Sequence, residues 1–98
     1  MARYTFNELL HLLEQDGASY DEARRKLLQR AERFWDEICT AAAQHPDPVM
    51  RARLIGVIHS AKVPTAQKRE AIEKLAQSEN HEIPLRSIRY SLKVLDWE

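Results

Sequence analysis

The sequence predicts an all-α fold of about five helices, arranged as an irregular bundle or a short stack of helical hairpins. Three observations carry this prediction. Capping-box patterns stand at Thr5-Phe6-Asn7-Glu8 and Ser19-Tyr20-Asp21-Glu22, where a hydroxyl and a carboxylate three residues on can satisfy free backbone N–H groups. Apolar residues recur at helical spacing along the chain, with no alternating strand pattern. A corner stands at His45-Pro46-Asp47-Pro48-Val49-Met50-Arg51, where Asp47 suits an N-cap and Pro48 the first helical position, which needs no N–H. The chain has only 2 glycines, which disfavours a loop-rich or β-rich fold.

The first helix follows Thr5, with Tyr4 and Leu9 placed as a hydrophobic staple. Phe6, Leu9, Leu10 and Leu13 make its apolar stripe, and it stops near Asp16-Gly17. The second helix is expected from Ser19 to about Gln44, a span of ~39 Å at the usual helical rise. Tyr20, Leu27, Phe34 and Ala41 recur along it, with Ala31 and Ile38 between and Leu28, Trp35 and Ala42 widening the stripe. It is the expected spine. The third helix follows Asp47 to about Ala61 and buries Met50, Leu54, Val57, Ile58 and Ala61. Val63-Pro64-Thr65 then breaks the chain, with Thr65 as the expected cap of a fourth helix whose Ile72, Leu75 and Ala76 point inward. A polar turn, Ser78-Glu79-Asn80-His81-Glu82, precedes a last helix starting at Pro84.

Ninety-eight residues suit one domain, so residues 1–98 are expected to fold as a unit. Charged residues at 31% and hydrophobic ones at 44% give the balance of a globular chain. A lone cysteine, Cys39, excludes an intrachain disulfide. The opening Met-Ala-Arg-Tyr-Thr-Phe has no signal-like apolar segment, and no apolar run approaches the ~18 residues of a membrane helix. The expected compartment is therefore the cytoplasm, without membrane association. Formal charge is zero but uneven: residues 1–49 hold six Lys/Arg against nine Asp/Glu, and residues 50–98 hold nine against six. Ordinary variation between solvated faces accounts for this; the sharper reading is an acidic end and a basic end meeting different partners.

Chemistry-bearing constellations are sparse. His11, His45, His59, His81 and Cys39 show no paired metal-ligand spacing, so no metal or other cofactor is expected, and His45 and His81 are expected to hydrogen-bond locally. Cys39 beside Ile38 reads as a packed small hydrophobe. Asp21-Glu22 and Asp36-Glu37 are helix neighbours about 100° apart, which cannot face each other as an acid/base pair. Neither a phosphate-cradling glycine loop nor a nucleophile motif occurs. Neither an enzyme nor a small-molecule substrate is expected.

The last helix is apolar on two sides. Leu85, Ile88, Leu92 and Leu95 form one stripe, and Tyr90, Val94 and Trp97 form another roughly opposite. Arg86, Arg89 and Lys93 lie on one flank between them. Such a helix is either sandwiched in the fold or offers one face to a partner.

Two resemblances add to this reading. Asp47-Pro48-Val49-Met50-Arg51, followed by Leu54 and Ile58, resembles the start of the second helix in HEAT-type repeats, and Pro84-Leu85-Arg86 opens another helix close to one repeat period later. That resemblance implies paired helices and protein binding, less often nucleic-acid binding. Separately, Ile83 to Leu95 is similar to the recognition helix of helix-turn-helix and winged-helix regulators, a likeness that implies Arg86, Ser87, Arg89, Tyr90 and Lys93 facing DNA. The function expected from the sequence is non-catalytic binding of another protein or a second copy of the chain, as an adaptor, regulator, inhibitor or accessory subunit. Tyr90, Val94 and Trp97 would anchor the interface, with Arg86, Arg89 and Lys93 on its rim. The alternative is a DNA- or RNA-binding regulator using the basic flank.

Overall fold

A computed structural model of the chain describes residues 4–96. Among them it forms six α-helices and no strand: α1 (Phe6–Leu13), α2 (Ala18–Gln29), α3 (Trp35–Gln44), α4 (Pro48–Ser60), α5 (Thr65–Ser78) and α6 (Glu82–Leu95). The all-α class is as expected, with one helix more. α1 opens with the expected box, since the Glu8 amide donates to Thr5 Oγ1 and the Thr5 amide donates to Glu8 Oε1.

The expected long second helix is two helices joined by a corner at residues 30–34. Arg30 (φ −119°, ψ 23°) and Phe34 (φ −101°, ψ 13°) leave helical geometry there. The Phe34 amide still donates to the Arg30 carbonyl, and the Ile38 amide to that of Phe34, so the corner exposes little backbone. No glycine or proline forces the bend. The bend falls where the packing changes: α2 packs mainly on α1, while α3 packs mainly on α4.

α4 takes the central place that the long helix was expected to hold. Met50, Leu54, Ile55, Val57 and Ile58 are all buried, which makes α4 apolar nearly all round, as a helix enclosed by others must be. Ile55, on the flank of the expected stripe, is the buried residue that the spacing left out. Leu9, Leu13, Leu27, Ile38, Ile72, Ile88 and Leu95 close the core around α4. Adjacent helices pair as α1/α2, α3/α4 and α5/α6, and α4 packs most extensively along α6. The short connections at 61–64 and 79–81 reverse the chain twice, so α4 and α6 run the same way.

Three helix starts and one burial assignment differ from expectation. α2 begins after Gly17, whose φ of 73° suits only glycine, so Ser19 lies inside the helix. Thr65 is the first residue of α5 and Pro64 its N-cap. α6 starts at Glu82 because the His81 imidazole accepts from the Ile83 amide; Pro84, third in the helix, still falls among positions that need no N–H. Ala76 is exposed rather than inward.

Arginines lock the corners. Arg51 donates to both Glu79 carboxylate oxygens, at 2.8 and 3.1 Å, and to the His45 carbonyl at 2.7 Å, tying the α3–α4 corner to the α5–α6 corner. Arg53 donates to the Leu13 carbonyl that α1 leaves free and to the Gln15 carbonyl beyond it, and stacks over Tyr20. Arg69 holds Asp96 and the Leu95 carbonyl at the end of α6.

Asp47 caps α4 by accepting from the Val49 amide at 2.9 Å. Its own amide donates to His45 Nδ1, which leaves the proton on Nε2 to meet Glu14 at 3.3 Å. Asp47→Ala should therefore cost about 0.5–2 kcal/mol in urea unfolding, and Asp47→Asn distinctly less, because asparagine caps nearly as well. Equal losses would mean that Asp47 acts through charge and not as a cap.

Candidate functional site

The C-terminal helix divides its two stripes unequally. Ile88 and Leu95 are buried with Pro84 and Ser91, while Leu85 and Leu92 are half-buried against the core. On the other side Tyr90 is 65% exposed, the largest exposure among the big hydrophobic side chains described, and Val94 is half-buried. Trp97, the third member of the outer stripe, lies outside the described residues.

Tyr90 sits beside α4. Its ring is 6.0 Å from the His59 ring, and His59 Nδ1 shares a hydrogen bond of 2.6 Å with Ser91 Oγ. Arg86, Ser87, Tyr90 and Ser91 of α6 line a groove of about 340 Å³ with Ile55, Gly56, His59 and Ser60 of α4 and Arg24 of α2. Gly56 is part of its wall, and a methyl group added there would touch nothing within 4 Å.

The basic flank is partly neutralised from within the helix. Glu82 Oε1 takes Arg86 at 3.4 Å, and both Glu82 oxygens take Arg89 at 3.2 Å. The hydrogen bond from Arg89, then its charge and that of Arg86, hold the Glu82 carboxyl below its usual range. Lys93 is exposed on the same helix. The structure thus brings Arg86, Ser87 and Tyr90 to one groove and turns Arg89 toward Glu82.

A second, larger groove was not anticipated. It has a volume of about 1170 Å³ and adjoins the first through Arg24 and Ser60, which are joined by a 3.0 Å hydrogen bond. Arg24, Arg25, Arg30, Arg33 and Lys62 line it, together with Asp21, Glu32, Leu28 and Ala31. The ends of α2 and α4 both reach it, placing negative helix ends near Arg30 and Lys62. Arg51, Arg53, Arg69, Arg86 and Arg89 each hold a carboxylate. The four described arginines that hold none within the described residues are Arg24, Arg25, Arg30 and Arg33, all in this groove. The sequence signal was the run Arg24-Arg25-Lys26, Arg30, Arg33, hidden when charge was summed over half the chain.

Other candidate groups have plain structural surroundings. Cys39 is half-buried, and burial, with Asp36 adding to it, pushes its thiol up to about 11, so it stays protonated near neutral pH. Among the described residues, no three His, Cys, Asp or Glu side chains come together to hold a metal ion. No described helix is long and apolar enough to cross a membrane. Compared with protein-family models, curated proteins and solved structures, the chain matches none.

Proposed function

We propose that the chain is a single-domain, non-catalytic protein-binding module, an adaptor, regulator or accessory subunit, that receives its partner on the face formed by α2, α4 and α6. The observation that carries this reading is Tyr90, 65% exposed at the mouth of a groove that leads into a cluster of arginines without carboxylate partners. Tyrosine and arginine around a groove are the residues that dominate protein interfaces, because each offers a large contact area with polar ends. The pairing of α1/α2, α3/α4 and α5/α6, with α4 running parallel to α6, supports a short HEAT-like stack of hairpins.

Nucleic-acid binding by the α6 flank is the lesser reading, since Glu82 competes for both Arg86 and Arg89. A pull-down from the source cell separates the two. Wild-type protein should retain a partner after nuclease treatment, and Tyr90→Ala combined with Arg86→Ala should release it. A partner lost on nuclease treatment, or held equally by the variant, would contradict the proposal.

A further inference from the structure

We infer that the larger groove takes an acidic protein segment carrying an apolar anchor, an inference that rests on the protein-binding reading above. Five cations against two carboxylates give the groove a net charge of +3 in a molecule whose formal charge is zero. The helix-end partial charges account for a cation at Arg30 or Lys62, but Arg24, Arg25 and Arg33 exceed that need. Elsewhere in the described chain each arginine holds a carboxylate; here four do not, so the fold leaves guanidinium forks whose geometry matches carboxylates from outside.

Apolar surface decides what accompanies the charge. Leu28, half-buried in α2, is the apolar side chain that the groove leaves partly open, and Ala31, itself buried, lies in the wall beyond it. An apolar side chain seated there would cover the open part of Leu28 while flanking carboxylates reach the arginines. A phosphate backbone fits less well. Asp21 and Glu32 interrupt the positive track, the neutral molecule provides no long-range attraction, and Tyr90 is the one exposed aromatic platform near the groove among the described residues.

Fluorescence anisotropy with three labelled probes tests this: a short Asp/Glu peptide with one central leucine, the same peptide with serine there, and a single-stranded oligonucleotide of equal charge. The leucine peptide should bind tightest. The double variant Arg25→Glu/Arg30→Glu should weaken it about tenfold or more, whereas Lys74→Ala, on α5 away from the groove, should leave it unchanged. Circular dichroism of each variant should match that of the wild type, which keeps unfolding out of the result. An oligonucleotide binding as tightly as the leucine peptide, equal binding of the two peptides, undetectable peptide binding, or a groove variant binding like wild type would each overturn the inference. Nuclease-resistant capture of a partner equally by wild type and by the groove variant would overturn it too, while leaving the binding-module reading intact.

Discussion

Replacing Glu79 with alanine is expected to lower stability by about 3 kcal/mol, the lower end of the range for breaking a buried ion pair from one side. The Glu79 and Arg51 side chains are only 7% and 14% exposed, and the pair fastens two hairpin corners rather than decorating a surface. Without Glu79, Arg51 keeps its bonds to the His45 and Pro46 carbonyls but loses its counter-charge, and the Asn80 and His81 amides lose their acceptor. The pair also fixes the direction of a pH effect. Arg51's hydrogen bond is the main reason that the Glu79 carboxyl lies below its usual range. A depressed carboxylate contributes stability above its unfolded value of about 4.3 and loses it as pH falls through the lower folded value. Urea unfolding from pH 7 to pH 3 should therefore show a steeper loss in wild type than in Glu79→Gln. Parallel curves, or an alanine cost below about 1 kcal/mol, would mean that the corner holds without the pair.

Phe34→Ala is the second large effect, at about 3–5 kcal/mol for deleting a buried aromatic ring. Phe34 is 8% exposed, packs 5.8 Å from the Phe6 ring, and occupies the corner between α2 and α3. The loss should thus uncouple α1 from that corner and loosen the segment carrying Arg30 and Arg33. Phe34→Leu, which keeps most of the volume, should cost distinctly less. An alanine cost below about 1 kcal/mol in urea unfolding would show that the ring is not structural.

The parts of the fold that were legible are those governed by local chemistry. Thr5 with Glu8, and Asp47 with Pro48, act within one turn of their own helix, so sequence neighbours suffice to place them. The corner at 30–34 was not legible, because Leu27, Ala31, Phe34 and Ile38 keep helical spacing straight through it and all are buried on both sides of the bend. The break coincides with the change of packing partner from α1 to α4, which no local pattern records. The Ser19 box failed because Gly17, free to take φ 73°, caps the helix two residues earlier.

Helical spacing put Tyr90 and Arg86 on the last helix, where both line the smaller groove, while the neutralising Glu82 stood four residues before Arg86 and could have been read as its partner. The arginine groove escaped because its residues come from α2, the corner and the segment after α4, and only the fold gathers them.

Amide hydrogen exchange with and without the leucine-bearing acidic peptide tests whether the α2–α4–α6 face is the binding surface. Added protection should be confined to residues 24–34, 59–62 and 86–91. Protection that centres instead on α3 and α5, or none at peptide concentrations that saturate the anisotropy signal, would contradict it.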